Sequence, residues 1–118
     1  MRRVAVRRAD GAPVATRVGV ADTPWLRLRG MLGRPAPGRE EGMLLLPCRA
    51  VHMWGMRYPL DVAFLDAEGQ VVAAYPDLAP GGRTKLHREA WAALELAPGT
   101  LARSGTRVGH RLEWQEVG

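Results

Sequence analysis

Along most of the chain the apolar positions recur every second residue, in short runs broken by glycine and proline. "VAVRR" and "VATRVGVA" are valine-rich, and the intervening "ADGAP" supplies turn chemistry through Asp10-Gly11 and Pro13. A hairpin is predicted near the N-terminus. The period changes in "DTPWLRLRGMLGR", where Trp25, Leu28 and Met31 or Leu32 recur at helical spacing. Thr23 can cap this segment, Pro24 suits its first position and Gly33 can end it. One short helix over about residues 23–33 is predicted, with Arg27, Arg29 and Arg34 largely on its other side.

"PAPGREEG" reads as a loop and "MLLLP" as a buried strand. After Cys48, "AVHMWGM" alternates loosely as extended chain up to Pro59, a residue tolerated at strand beginnings and edges. "LDVAFLD" and "QVVAAY" flank "AEG", predicting a second hairpin with Gly69 free to take positive φ. "PDLAPGGRTKLHRE" is a polar, glycine-rich connection of a length that often carries function. In "AWAALELA" the alternation of Leu94 and Leu96 with Glu95, followed at once by "PGT", favours a strand over a helix. "LARSG" can form one helical turn, and "HRLEWQEV" reads as a final strand with Leu112 and Trp114 on one face. The pattern predicts a mainly β protein: a compact antiparallel β sandwich or barrel forming a single domain over residues 1–118.

Composition agrees. A chain of 118 residues with 47% hydrophobic and 25% charged residues can bury its own core. Cys48 is the only cysteine, so no internal disulfide forms and a cytoplasmic setting is the default expectation. "MRRVAVRRADGAPV" lacks the apolar stretch of a secretory leader, and no run approaches the length of a spanning helix, so no membrane partner is expected. The net charge of +5 comes from arginines scattered along the chain without an aromatic-interleaved basic strand, which disfavours nucleic acid. Absence of isoleucine and asparagine, with abundant alanine, glycine, arginine and proline, is what GC-rich coding would produce, and the lack of asparagine with many arginines and loop prolines also fits a heat-adapted source.

Chemistry concentrates in "CRAVHMWGMRYPLDVAFLD" and in Glu95. Cys48 and His52 lie four residues apart; in extended chain that is about 13 Å, so direct contact needs a bend between them. Free cysteine is most often core, and little but Arg49 would lower the pKa of this one. Trp54, Met53 and Met56 could line a pocket or fill a core. The histidines, cysteine and carboxylates show no metal-ligand spacing, so neither metal nor cofactor is expected. Alternation along "PLDVAFLD" places Leu60, Val62 and Phe64 on one face and Asp61 with Ala63 and Leu65 on the other, so this carboxylate needs partners: Arg57, Arg49, His52 or turn amides. Glu95 repeats the pattern; sharing a cavity with Asp61, it would form an acid/base pair. No nucleophile elbow, P-loop or dinucleotide fingerprint is present.

"VADTPWLRLRGMLGR", "MRYPLDVAFLDAEGQVV" and "ALELAPGTLARSGTRVGHRL" together resemble, in order and spacing, the DUF192 (UPF0127) family of uncharacterised prokaryotic proteins, from about Val18 to Leu112. The resemblance implies a compact, mainly β, jelly-roll-like domain without an assigned biochemical role. Many relatives carry a Trp-Met-Lys-Asn-Thr type sequence where this chain has His52-Met53-Trp54-Gly55-Met56, so nothing tied to that Asn-Thr pair transfers.

The expected function is therefore the binding of a small molecule or partner peptide in a cleft near His52 and Asp61, with Cys48, Trp54, Met56, Arg57 and Glu95 as further candidates. Two alternatives stand beside it. One is a hydrolase-like enzyme using Cys48 or His52 with Asp61 and Glu95; the other is a purely structural or interaction module. The oligomeric state is left open.

Overall fold

Valine-rich β1 (Arg3–Arg8) and β2 (Pro13–Ala21) pair antiparallel. The turn between them needs Gly11 at φ 99, a conformation costly for any residue with a Cβ. In the computed structural model, which describes residues 1–117, these strands belong to one seven-stranded sheet. The others are β3 (Glu41–Leu45), β4 (Leu60–Leu65), β5 (Val71–Leu78), β6 (Ala92–Leu96) and β7 (Leu112–Glu116), in the spatial order β5-β4-β6-β3-β2-β1-β7. The β4/β5 hairpin, the strand at 92–96 and the final strand are where the alternation places them.

The sheet curls into a half-barrel. Its edge strands approach one another at one end, where the Val71 N–H donates to the His110 carbonyl and the Leu112 N–H to the Gly69 carbonyl, each at 2.8 Å. Such curling shields sheet edges that would otherwise offer unpaired backbone groups. The all-antiparallel expectation needs one correction: β2 and β3 run parallel. The connection between them, through the helix and the proline-rich loop, is long enough for a crossover, which a tight turn is not.

The predicted helix over about 23–33 is shorter, α1 (Pro24–Arg29). Thr23 Oγ1 accepts the Leu26 N–H at 3.2 Å and Pro24 starts the first turn, as predicted. Termination comes at Gly30, at φ 51, rather than at Gly33. The stripe is corrected too: Trp25 and Leu28 face solvent, and Leu26 packs inward. The single turn expected in "LARSG" is a second helix, α2 (Thr100–Ser104).

Two apolar clusters lie on opposite faces of the sheet. The first fills the curl with Val4, Val6, Val18, Val20, Leu44, Ala63, Leu65, Leu94, Leu96 and Leu112, plugged by Leu101 of α2. The second, on the outer face, joins Leu45, Leu60, Val62, Phe64 and Ala93 to Met31, Val51 and Met53 from the segments folded over it. Both faces being covered explains why all of β4 and β6 is buried.

Candidate functional site

The alternation of β4 decides what Asp61 does. Leu60, Val62 and Phe64 point to the outer cluster, while Asp61 shares the inner face with Ala63 and Leu65. Its Oδ1 accepts the Asp77 N–H at 2.8 Å and its Oδ2 the Leu101 N–H at 2.9 Å. Asp77 holds a left-handed backbone, φ 54, unusual for a residue with a side chain. Asp61 thus fastens the end of β5 to the first turn of α2, and both oxygens are occupied. This is the turn-amide arrangement, and no arginine or histidine is among these partners.

Glu95 is placed oppositely. On β6, Leu94 and Leu96 point into the curl, so Glu95 shares the outer face with Ala93. It is directly opposite Val62 on β4 and Met43 on β3. At Gly42, beside it on β3, a Cβ would lie 2.5 Å from the Glu95 carbonyl oxygen, so only glycine lets the strands meet here. The Glu95 side chain is 6% exposed, and its Oε1 is fully buried without a hydrogen-bond partner among the described residues. Desolvation pushes its carboxyl from the ordinary range up to about 7.

Two segments fold over this outer face. One is α1 with its following turns, and the other is the irregular run from Leu46 to Pro59. Between them opens a cleft of about 370 Å³, with Glu95 among its walls alongside Arg27, Leu28, Met31, Cys48, His52, Trp54 and Met56. The volume falls within the range of small-molecule sites. The 51–57 run is turns instead of the extended chain read from its alternation; only His52 keeps a strand-like pairing, an isolated bridge to Arg83. That fold-back supplies the bend that brings Cys48 and His52 to one cleft.

Cys48 is half-buried, and its Sγ donates to the Ala50 carbonyl at 3.2 Å. Desolvation raises its thiol pKa, and the charge of Glu95 pushes the same way. A thiol so placed is a poor nucleophile. The Tyr58 hydroxyl, raised by desolvation and then by Glu95, donates toward the Arg34 carbonyl at 2.9 Å, with the Met31 carbonyl 3.1 Å away. It ties the turns after α1 to the 46–59 run. His52 and Trp54 are exposed at the rim.

Of the candidates from the sequence, Cys48, His52, Trp54, Met56 and Glu95 share this cleft. Arg57 lies in an adjoining hollow with Leu32, Arg34 and Tyr58. Asp61 does not join them, because it faces the inner cluster, so the expected sharing of a hollow by His52 and Asp61 is corrected. The pairing of Asp61 with Glu95 is corrected by a one-residue offset in register that puts the two carboxylates on opposite faces of the sheet. Sequence reasoning missed Arg27, Met31 and Gly30 as cleft residues; a Cβ at Gly30 would sit 3.4 Å from Glu95 Oε1. No three His, Cys, Asp or Glu side chains gather in a metal-holding group among the described residues.

A family model described as "Uncharacterized ACR", DUF192, matches residues 5–114. No curated protein matches. Among solved structures, one similar chain is a protein of unknown function from Novosphingobium aromaticivorans, 30% identical, with a TM-score of 0.80 over 95% of this chain and 84% of that one. Another is a "putative transcription regulator" from Sinorhizobium meliloti, also 30% identical, with a TM-score of 0.77 over 96% of this chain and 92% of that one.

Proposed function

The chain belongs to the DUF192 family, and on that premise we propose that it is a binding domain whose cleft between α1 and the 46–59 run takes a small molecule with an apolar body and one hydrogen-bonding group. The observation that carries this reading is Glu95: a carboxyl buried on a cleft wall with Oε1 unpartnered. Buried polar groups almost always have partners, and leaving one unmade costs about 1–3 kcal/mol. Asp61, 1% exposed and doubly hydrogen-bonded, is what a structural carboxylate looks like in this same sheet. Oε1 is closed to water, so a ligand seated in the cleft supplies the missing partner of Glu95 by displacing the side chains that cover it. With its pKa near neutrality the carboxyl can donate or accept, so hydroxyl, amide and amine groups all fit it. Met31, Met53 and Met56 give the walls an adaptable apolar lining.

The test is ligand-observed NMR with a set of small apolar compounds, each bearing one hydroxyl, amide or amine. Compounds that bind competitively and lose binding in Glu95→Leu support the reading. No binders, or binders indifferent to Glu95→Leu, contradict it.

A second reading keeps Glu95 as a general acid or base, a role for which a pKa of about 7 is well matched. Its weakness is the nucleophile, since the raised pKa of Cys48 works against attack by the thiolate. Turnover of an ester or amide probe that is abolished in Glu95→Gln would favour this reading over simple binding.

A further inference from the structure

The outer lip of the cleft is apolar where a surface should be polar. Trp25, Leu28 and Trp54 are 68%, 72% and 76% exposed, and Leu32 is 36% exposed beside them. Leu28, Leu32 and Trp54 line the cleft mouth, and Trp25 lies three residues before Leu28 on α1, on the same side of the helix. α1 buries none of its residues. Isolated exposed apolar residues are ordinary, but a contiguous group rimmed by polar residues marks an interaction surface.

Charge says what kind of surface. Residues 23–60 contain six arginines, namely Arg27, Arg29, Arg34, Arg39, Arg49 and Arg57, against two acidic residues, the adjacent Glu40 and Glu41. Elsewhere the chain carries eleven basic and ten acidic residues, so this stretch holds four of the five positive charges in excess. Arg27 and Arg29 line the cleft, and Arg34 and Arg57 line the hollow next to it. The hydrogen bonds of Arg27, Arg29 and Arg34 go to backbone carbonyls, and no ion pair among the described residues involves any of these four.

We propose that this lip, built from Trp25, Leu28, Leu32 and Trp54 among Arg27, Arg29, Arg34 and Arg57, docks onto an anionic phospholipid surface. Tryptophan is the side chain best suited to the interface between headgroups and acyl chains, and arginines left without acidic partners are attracted to anionic lipids. A surface-bound protein needs no spanning segment. Exposed leucines alongside the tryptophans suit lipid better than nucleic acid, whose bases would use the aromatic faces alone. In this pose the cleft mouth opens onto the bilayer, although docking itself does not depend on what the cleft binds.

The experiment is co-sedimentation with vesicles of phosphatidylcholine alone and of phosphatidylcholine containing about one-third phosphatidylglycerol. Binding is expected to be at least about tenfold stronger to the anionic vesicles and to weaken as salt screens the arginines. Trp25→Ala, exposed and outside the cleft lining, is expected to reduce it severalfold, and Arg57→Glu likewise, with circular dichroism confirming that both variants fold. Equal or undetectable binding to the two vesicles overturns the proposal. So does a single-stranded oligonucleotide that binds through Trp25 while the vesicles do not, and so does a concentration-dependent dimer abolished by Trp25→Ala in the absence of vesicle binding.

Discussion

Glu95 pairs with Val62, and Asp61 is the residue before Val62, so these two buried acids stand one register step apart on adjacent strands and face opposite sides of the sheet. That single offset divides their roles. Asp61 has both oxygens occupied by backbone N–H groups inside the curl, whereas Glu95 reaches a cleft with its buried Oε1 lacking a hydrogen-bond partner among the described residues.

Glu95→Gln should change how stability depends on pH. The folded carboxyl titrates near 7 against an ordinary 4.5, so the folded state holds a proton that the unfolded chain releases earlier. No penalty applies below the unfolded value. Between pH 4.5 and about 7 the penalty grows, then levels at about 3 kcal/mol. Urea unfolding at acid and alkaline pH should show the wild type losing that much relative to Glu95→Gln, which cannot ionise. Parallel profiles for the two proteins would mean that Glu95 is solvated.

Asp61→Asn should destabilise the fold by about 2 kcal/mol, since the amide offers one acceptor where two N–H groups require one each. Local opening should centre on 76–78 and 100–104, measurable by hydrogen exchange at Asp77 and Leu101. Cleft binding should survive in the folded fraction. Loss of cleft binding at matched folded fraction would contradict the separation of the two acids.

Cys48 should react slowly with iodoacetamide near neutral pH, because burial and the Glu95 charge both disfavour its thiolate. In Glu95→Gln the carboxylate contribution disappears, and the rate should rise at alkaline pH. An unchanged rate would indicate that the two groups do not sense each other.

His87 is 6% exposed, lies 4.6 Å from the Phe64 ring centroid and has its Nε2 2.7 Å from the Tyr75 hydroxyl. Desolvation lowers its pKa, and the charge of Lys85 adds to this, so the folded state favours neutral imidazole. Its stabilisation is present above the unfolded pKa of about 6.5 and is lost as pH falls through the lowered folded value. An NMR titration should place its midpoint below that of an exposed histidine; a midpoint at or above it would contradict the burial.

Most of the sheet was legible because local alternation is a direct record of which side chain faces which way. "LDVAFL" assigned Leu60, Val62 and Phe64 to one cluster and Ala63 and Leu65 to the other, as found. The same rule placed Asp61 among apolar neighbours, but its partners lie 16 and 40 residues away, beyond any local pattern. Register between strands is equally non-local, so the pattern along the chain does not reveal that Asp61 and Glu95 face opposite sides of the sheet. Helical spacing groups Trp25 and Leu28 with Met31, but in the structure Met31 is buried while Trp25 and Leu28 face outward, because Leu26 makes the inward contact of α1 and Gly30 ends the helix early. The turns at 51–57 hid behind a loose alternation for the same reason. Their fold-back is fixed by distant backbone bonds, among them the Met53 N–H to the Gly82 carbonyl at 2.7 Å.

The most direct measurement of the central claim is carboxyl ¹³C NMR of Glu95, titrated with pH in the free protein and again with a bound cleft fragment. A midpoint close to 7 that moves when the fragment binds, while Asp61 stays unaffected, is the result predicted. A midpoint at the ordinary value of 4.5, unmoved by any fragment, would mean that water already partners this carboxyl and that the cleft waits for nothing.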